Sequence, residues 1–192
     1  MLKIPNMVLI GGNSRNSGKT SMVCSIIAQL SAKHDVIGLK VTRIRPDEGE
    51  FHGNHNENIS SGFSVYSEEN FQSHKDTSQM LRAGAKQVFY IRTADSFAEQ
   101  AIIQFLSSYT NNQVIVCESR SLRNIIEPGL FLMMIRNPSI SKPKDIASYI
   151  GKADFVLDFK NQNAEVQHIV NSLSFINGQF IYVGQKQESL NF

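Results

Sequence analysis

Tryptophan is absent from this 192-residue chain, cysteine occurs twice, and neither sign of charge dominates: the formal net charge is +2. A charge so close to balance removes the general electrostatic reason to expect DNA, RNA or an acidic membrane surface as partner. The two cysteines, Cys24 and Cys117, are far apart in sequence, so a structural disulfide is poorly motivated. Both lie in apolar stretches and read as buried free thiols. No apolar run reaches the roughly 18 residues of a membrane span, and the opening MLKIPNMVLIGG has no signal-peptide cleavage segment, so a cytoplasmic protein is expected. With 5 prolines and 12 glycines, fibrous and low-complexity compositions are excluded as well. What the chain does have is apolar content, at 41% hydrophobic residues. That supports a single domain over residues 1–192 with a sizeable core and no need of a staple.

The pattern along the chain alternates. Residues 7–10 form a fully apolar run, glycines follow at once, and a helix begins near Gly18 with Met22, Val23, Ile26, Ile27 and Leu30 on one face. Residues 36–41 are the next strand, completing a strand–loop–helix–strand unit of the parallel kind. A long polar insertion over about residues 43–75 follows, with a short strand at 63–66. Insertions of that length usually carry function, which makes this one a substrate-facing loop. Beyond it come a short helix at 76–83 stopped by Gly84, a strand at 87–91, a helix at 96–109 and a strand at 114–117. Strands at 130–135 and 155–158 and helices at about 143–150 and 164–176 complete the pattern. The segment 180–183 fits either an edge strand or a dimer contact. The runs VIVC and LFLMMI lack polar alternation, as expected of a parallel sheet covered on both faces.

Chemistry concentrates first in GGNSRNSGKT, residues 11–20. Gly18 lets backbone approach phosphate oxygens, and successive amides through Asn13, Ser14, Arg15, Asn16 and Ser17 form an anion nest at a helix start. Lys19 supplies a point charge for β- and γ-phosphates, Thr20 a hydroxyl for Mg²⁺, and Ser21 a further phosphate contact. Asn13 stands where the usual pattern has glycine. Either Asn13, which tolerates left-handed angles, or Gly12 is expected to supply the turn. This strand–GKT–helix context predicts an α/β fold of the P-loop NTPase kind, a three-layer sandwich with a mostly parallel central sheet.

Ligands of such sheets collect beyond the carboxyl ends of the strands. Lys40, Glu118 and Asp158 stand there; a solvated strand end explains Lys40 and Asp158 as well, and Glu118 is the carboxylate expected to join Thr20 in holding Mg²⁺. Asp76 either caps its helix or faces the γ-phosphate. Arg120 and Arg123 pair with phosphates, pair with a second negatively charged substrate, or are solvated. In the insertion, His52 and His55 are three apart, a spacing compatible with a metal, but a solvated polar loop with His74, Asp47, Glu48, Glu50 and Glu57 is the default reading.

Taken together, RNSGKTS, VIGLKVT, KDTSQMLRAGAKQVF, VIVCES, PGLFLMMI and KPKDIASYIGKADFVLD resemble the molybdopterin-guanine dinucleotide biosynthesis protein B family of P-loop NTPases, over residues 7–160. The resemblance implies GTP binding with weak GTPase activity, a role in attaching the guanine nucleotide during molybdenum cofactor maturation, a protein partner in that pathway, and a homodimer. It implies that Gly18, Lys19 and Thr20 hold the phosphates and that Lys40, Asp76 and Glu118 face the nucleotide or Mg²⁺. The chain departs from the family at Asn13, at Ser119 after Glu118, and in the histidine-rich segment, which His52 and His55 echo loosely. No Asn-Lys-x-Asp guanine-reading segment occurs, so the residues themselves leave GTP and ATP both open. Three functions follow as expectations: an Mg²⁺-dependent NTPase with Lys19, Glu118 and Asp76 as its catalytic groups, a small-molecule kinase, and a nucleotide-switched binding module.

Overall fold

A computed structural model describes residues 1–44, 62–108, 113–136, 146–158 and 162–182. The histidine pair His52 and His55, and Asp47, Glu48, Glu50 and Glu57 with it, lie outside the described residues. The chain forms an α/β fold with a mixed, mostly parallel central sheet flanked by helices. Its strands are β1 (Leu2–Gly12), β2 (Val36–Arg43), β3 (Phe63–Ser67), β4 (Gln87–Thr93), β5 (Val114–Glu118), β6 (Ile126–Ile135) and β7 (Phe155–Asp158), in the order β3-β4-β2-β5-β1-β6-β7. All neighbours are parallel except β3, which runs antiparallel to β4 at one edge.

The central strands are apolar on both faces because both faces are covered. On one side Val8, Ile10, Val36, Val88, Val116 and Leu132 pack against α1 (Lys19–Ser31), α2 (Asp76–Arg82) and the later helix α5 (Gln162–Ser172). The expected stripe of α1, from Met22 to Leu30, is the face it buries. On the other side Leu9, Ile37, Leu39, Ile91, Ile115 and Phe131 pack against α3 (Ala98–Leu106) through Ala101, Ile102 and Phe105. The short helix α4 (Ala147–Ile150) adds Tyr149 to that side. No helix among the described residues is long and apolar enough to cross a membrane.

Several boundaries differ from the sequence-based expectation. Strands β1 and β6 each begin earlier, because Leu2–Ile4 pair with Ile126–Pro128 and then shift register before Val8. Pro5 and Pro128 mask these entries in the sequence, since proline is expected at strand edges and bulges. Helix α3 starts at Ala98 after a 3-10 turn at Asp95–Phe97. The helix expected to run to residue 176 stops at Ser172. Leu173–Ile176 and Gln179–Tyr182 are instead two strands, β8 and β9, of an antiparallel hairpin. Asn177 and Gly178 turn it with φ of 51° and 78°, the left-handed pair that a type I′ turn requires. Cys24, half-buried, and Cys117, buried, are both free thiols. Burial raises both, Cys24 to about 11.

Candidate functional site

Beyond the carboxyl ends of β1, β2 and β5 the sheet stops being apolar. Register aligns Ile10 with Glu118 and Glu118 with Lys40 across three adjacent strands. In β2 the residues on one face change from Val36 and Gly38, beneath Met80 of α2, to Lys40 and Thr42. Helix α2 begins level with that change and sets Asp76 against it.

The β1–α1 loop rises over the same edge. Gly18, with φ of 83°, opens α1, and no side chain caps that helix end. The second left-handed residue in the loop is Asn16, with φ of 58°; neither Asn13 nor Gly12 has a positive φ. Asn13 has a different task. Its side chain exchanges hydrogen bonds with Arg136, donating through Nδ2 to the carbonyl (2.7 Å) and accepting at Oδ1 from the backbone amide (3.0 Å). Its own amide donates to the Met134 carbonyl at 3.2 Å. The expectation that Asn13 contacts phosphate is therefore corrected: its side chain and amide tie the loop to the end of β6. Gly12 is required for space. A Cβ there would stand 2.4 Å from Ser17 Oγ and 2.8 Å from Lys19 Cδ, so a larger residue would displace both side chains from their present positions.

Lys19 folds back beneath the loop and donates from Nζ to the Ser14 carbonyl (2.8 Å) and to Ser17 Oγ (3.3 Å). Burial holds its pKa below the ordinary lysine value, and the charges of Lys40 and Arg120 act in the same direction, outweighing Glu118 and Asp76. Ser17 is buried, whereas Arg15, Asn16 and Ser21 are exposed. Ser14 Oγ is enclosed without a hydrogen-bond partner.

Thr20, one residue into α1, donates from Oγ1 to Glu118 Oε2 at 2.9 Å. The other oxygen, Oε1, lies 3.6 Å from Lys40 Nζ. Lys40 Nζ also pairs directly with Asp76 Oδ2. Burial by itself depresses Lys40, but Glu118 and the Asp76 hydrogen bond overcome it and the net pKa is raised. Lys40 is thus not a solvated strand end, and Asp76 does not cap its helix, whose cap position is Lys75. Five residues expected at the site, Lys19, Thr20, Lys40, Asp76 and Glu118, come together, although they span four elements. The remaining candidates do not all join them. Asp158 is exposed on the edge strand β7, and His74 is exposed ahead of α2. Arg123 donates to the Ile126 carbonyl (3.0 Å) and lies over the Phe131 ring, which makes it a brace under β6 rather than a phosphate contact.

The donor set suits a hydrated Mg²⁺. A hydroxyl and a carboxylate already meet at hydrogen-bond distance, and this cation takes only one or two protein ligands when phosphate and water fill the remainder. No cluster of three or more His, Cys, Asp or Glu side chains occurs among the described residues, so an all-protein metal cage has no support there.

No known family, curated protein or solved structure matches the chain.

Proposed function

We propose that this chain is a P-loop NTPase, a three-layer sandwich that binds a nucleoside triphosphate with Mg²⁺ along residues 14–21 and hydrolyses it slowly. The observation that carries this reading is the 2.9 Å bond between Thr20 and Glu118, 98 residues apart in sequence, beside the half-buried ammonium of Lys19. A hydroxyl at a helix start, a carboxylate at a strand end and a lysine under a glycine-containing loop are the groups a phosphate–metal site requires.

Thr20 and Glu118 would hold Mg²⁺, directly or through water, and the cation would neutralise charge on the β- and γ-phosphate oxygens. Lys19 would exchange the Ser14 carbonyl for phosphate oxygen and stabilise the charge that develops on the departing diphosphate. In hydrolysis the water oxygen bonds to the γ-phosphorus while the bond to the bridging oxygen breaks. The electron pair leaves with the diphosphate, and the water proton ends on the released phosphate. Lys40 and Asp76 position Glu118 rather than touch the reacting atoms. The resemblance of residues 7–160 to the molybdopterin-guanine dinucleotide biosynthesis protein B family supports GTP as the nucleotide, and an accessory role in molybdenum cofactor maturation, as a homodimer with a pathway partner.

A small-molecule kinase is the second reading, and one observation favours it. Tyr66 stacks on Tyr90 at 6.4 Å, and the Tyr90 hydroxyl bonds Thr42 at 2.7 Å, forming a polar shelf beside Lys40 on the same sheet face. An acceptor seated there would take the γ-phosphoryl group in place of water.

The test is a titration of ATP, GTP, ADP and GDP, each with and without Mg²⁺, followed by phosphate release. Triphosphate binding that requires Mg²⁺ is expected. Lys19→Ala should weaken it by about 100-fold or more, the cost of removing a buried charged partner. Absence of binding to every nucleotide overturns the proposal, and phosphate transfer to an added acceptor in preference to water favours the kinase.

A further inference from the structure

The side chain of Arg120 has no part in the functions above, yet it stands at the root of the same loop. It follows Glu118 by two residues, and the intervening Ser119 amide donates to the Ile10 carbonyl at 3.0 Å, so β1 fixes where the side chain departs. One guanidinium nitrogen donates to the Gly12 carbonyl at 3.3 Å. Its carbon lies 5.2 Å from the centre of the Tyr149 ring. That ring is itself held, because the Tyr149 hydroxyl accepts from Asn124 Nδ2 at 2.8 Å. A guanidinium carries five in-plane N–H donors, and a ring covers only its face. Among the described residues no carboxylate pairs with Arg120, in contrast to Lys40, Lys86 and Arg43, which each have one.

An arginine oriented by a carbonyl and an aromatic face, but left without a counter-charge, shares Gly12 with Lys19: its guanidinium bonds the Gly12 carbonyl, and a Cβ on Gly12 would stand 2.8 Å from Lys19 Cδ. Two neighbouring cations are tolerated in a fold where an anion joins them. The position also selects which part of the anion. Gly12 ends β1 where the loop begins, with the Lys19 stem where its Cβ would be, whereas Thr20 and Ser21 mark the opposite, helical end. A polyphosphate threaded from the helix start towards Gly12 presents its terminal group to Arg120.

On this basis, and resting on the nucleotide reading above, we infer that Arg120 is a contact for the terminal phosphate that lets the site discriminate a triphosphate from a diphosphate. Fork-shaped pairing of the guanidinium with two phosphate oxygens would supply the discrimination, which a lysine at this position would reproduce only in part.

The experiment compares Mg²⁺-bound GTP with GDP, and ATP with ADP, in the wild type, Arg120→Gln, Arg120→Lys and Lys19→Ala. In Arg120→Gln, triphosphate affinity is expected to fall about tenfold or more, as for loss of a charge-assisted hydrogen bond. Diphosphate affinity is expected to stay within about twofold, since surface changes away from a bound group cost little. Arg120→Lys should recover part of the ratio. An unchanged triphosphate-to-diphosphate ratio in Arg120→Gln, with binding abolished by Lys19→Ala, overturns the role of Arg120 and leaves the nucleotide reading standing. A wild type that binds no nucleotide overturns both. If Arg120→Gln does not fold, Tyr149→Leu removes the face on which the guanidinium rests. A severalfold fall in the ratio then supports the inference and an unchanged ratio defeats it.

Discussion

Lys19 and Lys40 reach the same edge of the sheet, and their surroundings treat them oppositely. Lys40 meets two carboxylates, Asp76 and Glu118, and its pKa is raised despite burial. Lys19 meets a carbonyl and a hydroxyl, and burial keeps its pKa low. A charge neutralised by its neighbours contributes to holding a structure together, whereas one held without full compensation is prepared for something that arrives. The contrast separates the two halves of the site: β2, β5 and α2 form a closed ionic brace, and the β1–α1 loop keeps an electrostatic demand unmet.

The largest effect that would break this contrast is on folding. Lys40→Met leaves Asp76 and Glu118 without their shared cation, with Glu118 keeping only its hydrogen bond from Thr20. Breaking a fully buried pair costs about 3–5 kcal/mol. Because the Asp76 side chain is 35% exposed, solvent screening reduces the expected loss to about 1–2 kcal/mol. Lys19→Met should leave the melting temperature of the ligand-free protein unchanged or higher, since it removes a poorly compensated, half-buried cation. Equal destabilisation by the two substitutions in thermal melts would erase the distinction.

A smaller effect, on pH dependence, sharpens it. The folded pKa of Lys19 lies below its unfolded value near 10.5, so between the two the unfolded chain holds a proton that the folded chain has released. Stability from this group therefore rises with pH across that window. Triphosphate binding favours the charged ammonium and should weaken with pH over the same interval, with proton uptake measurable by calorimetry in buffers of different ionisation enthalpy. Lys19→Arg should abolish the uptake; uptake that persists would assign it to another group.

The smallest effect concerns the other place where an asparagine and a glycine are left-handed. Gly178→Ala, at φ of 78°, is expected to cost about 1 kcal/mol, or a melting shift of about 2–4 °C, without altering nucleotide affinity. A change in affinity would mean that the β8–β9 hairpin communicates with the loop.

Much of this architecture is legible in the residues. Apolar runs locate the central strands, α1 shows its buried stripe, and strand-end positions nominate Lys40 and Glu118, because burial on two faces leaves a strong compositional mark. The register that makes them neighbours is not local, and the role of Asp76 could not be separated from capping without it. Asn13 reads as a turn residue by its type but acts through a tie to Arg136, 123 positions away. The hairpin is a different kind of omission. Asn177-Gly178 is a strong turn signal, but the apolar spacing before it continues smoothly from the helix, so periodicity concealed the change.

The order of the strands has a consequence for how the chain matures. β5 is inserted between β1 and β2, so the loop with Lys19 and the segment with Lys40 cannot become neighbours until the chain through Glu118 has emerged and threaded into the middle of the sheet. A nascent fragment ending before that strand would carry the glycine loop intact and yet lack Glu118 opposite Thr20. On the proposed nucleotide reading, ligand capture would be withheld from chains that end before β5 and would stabilise only those in which it is in place.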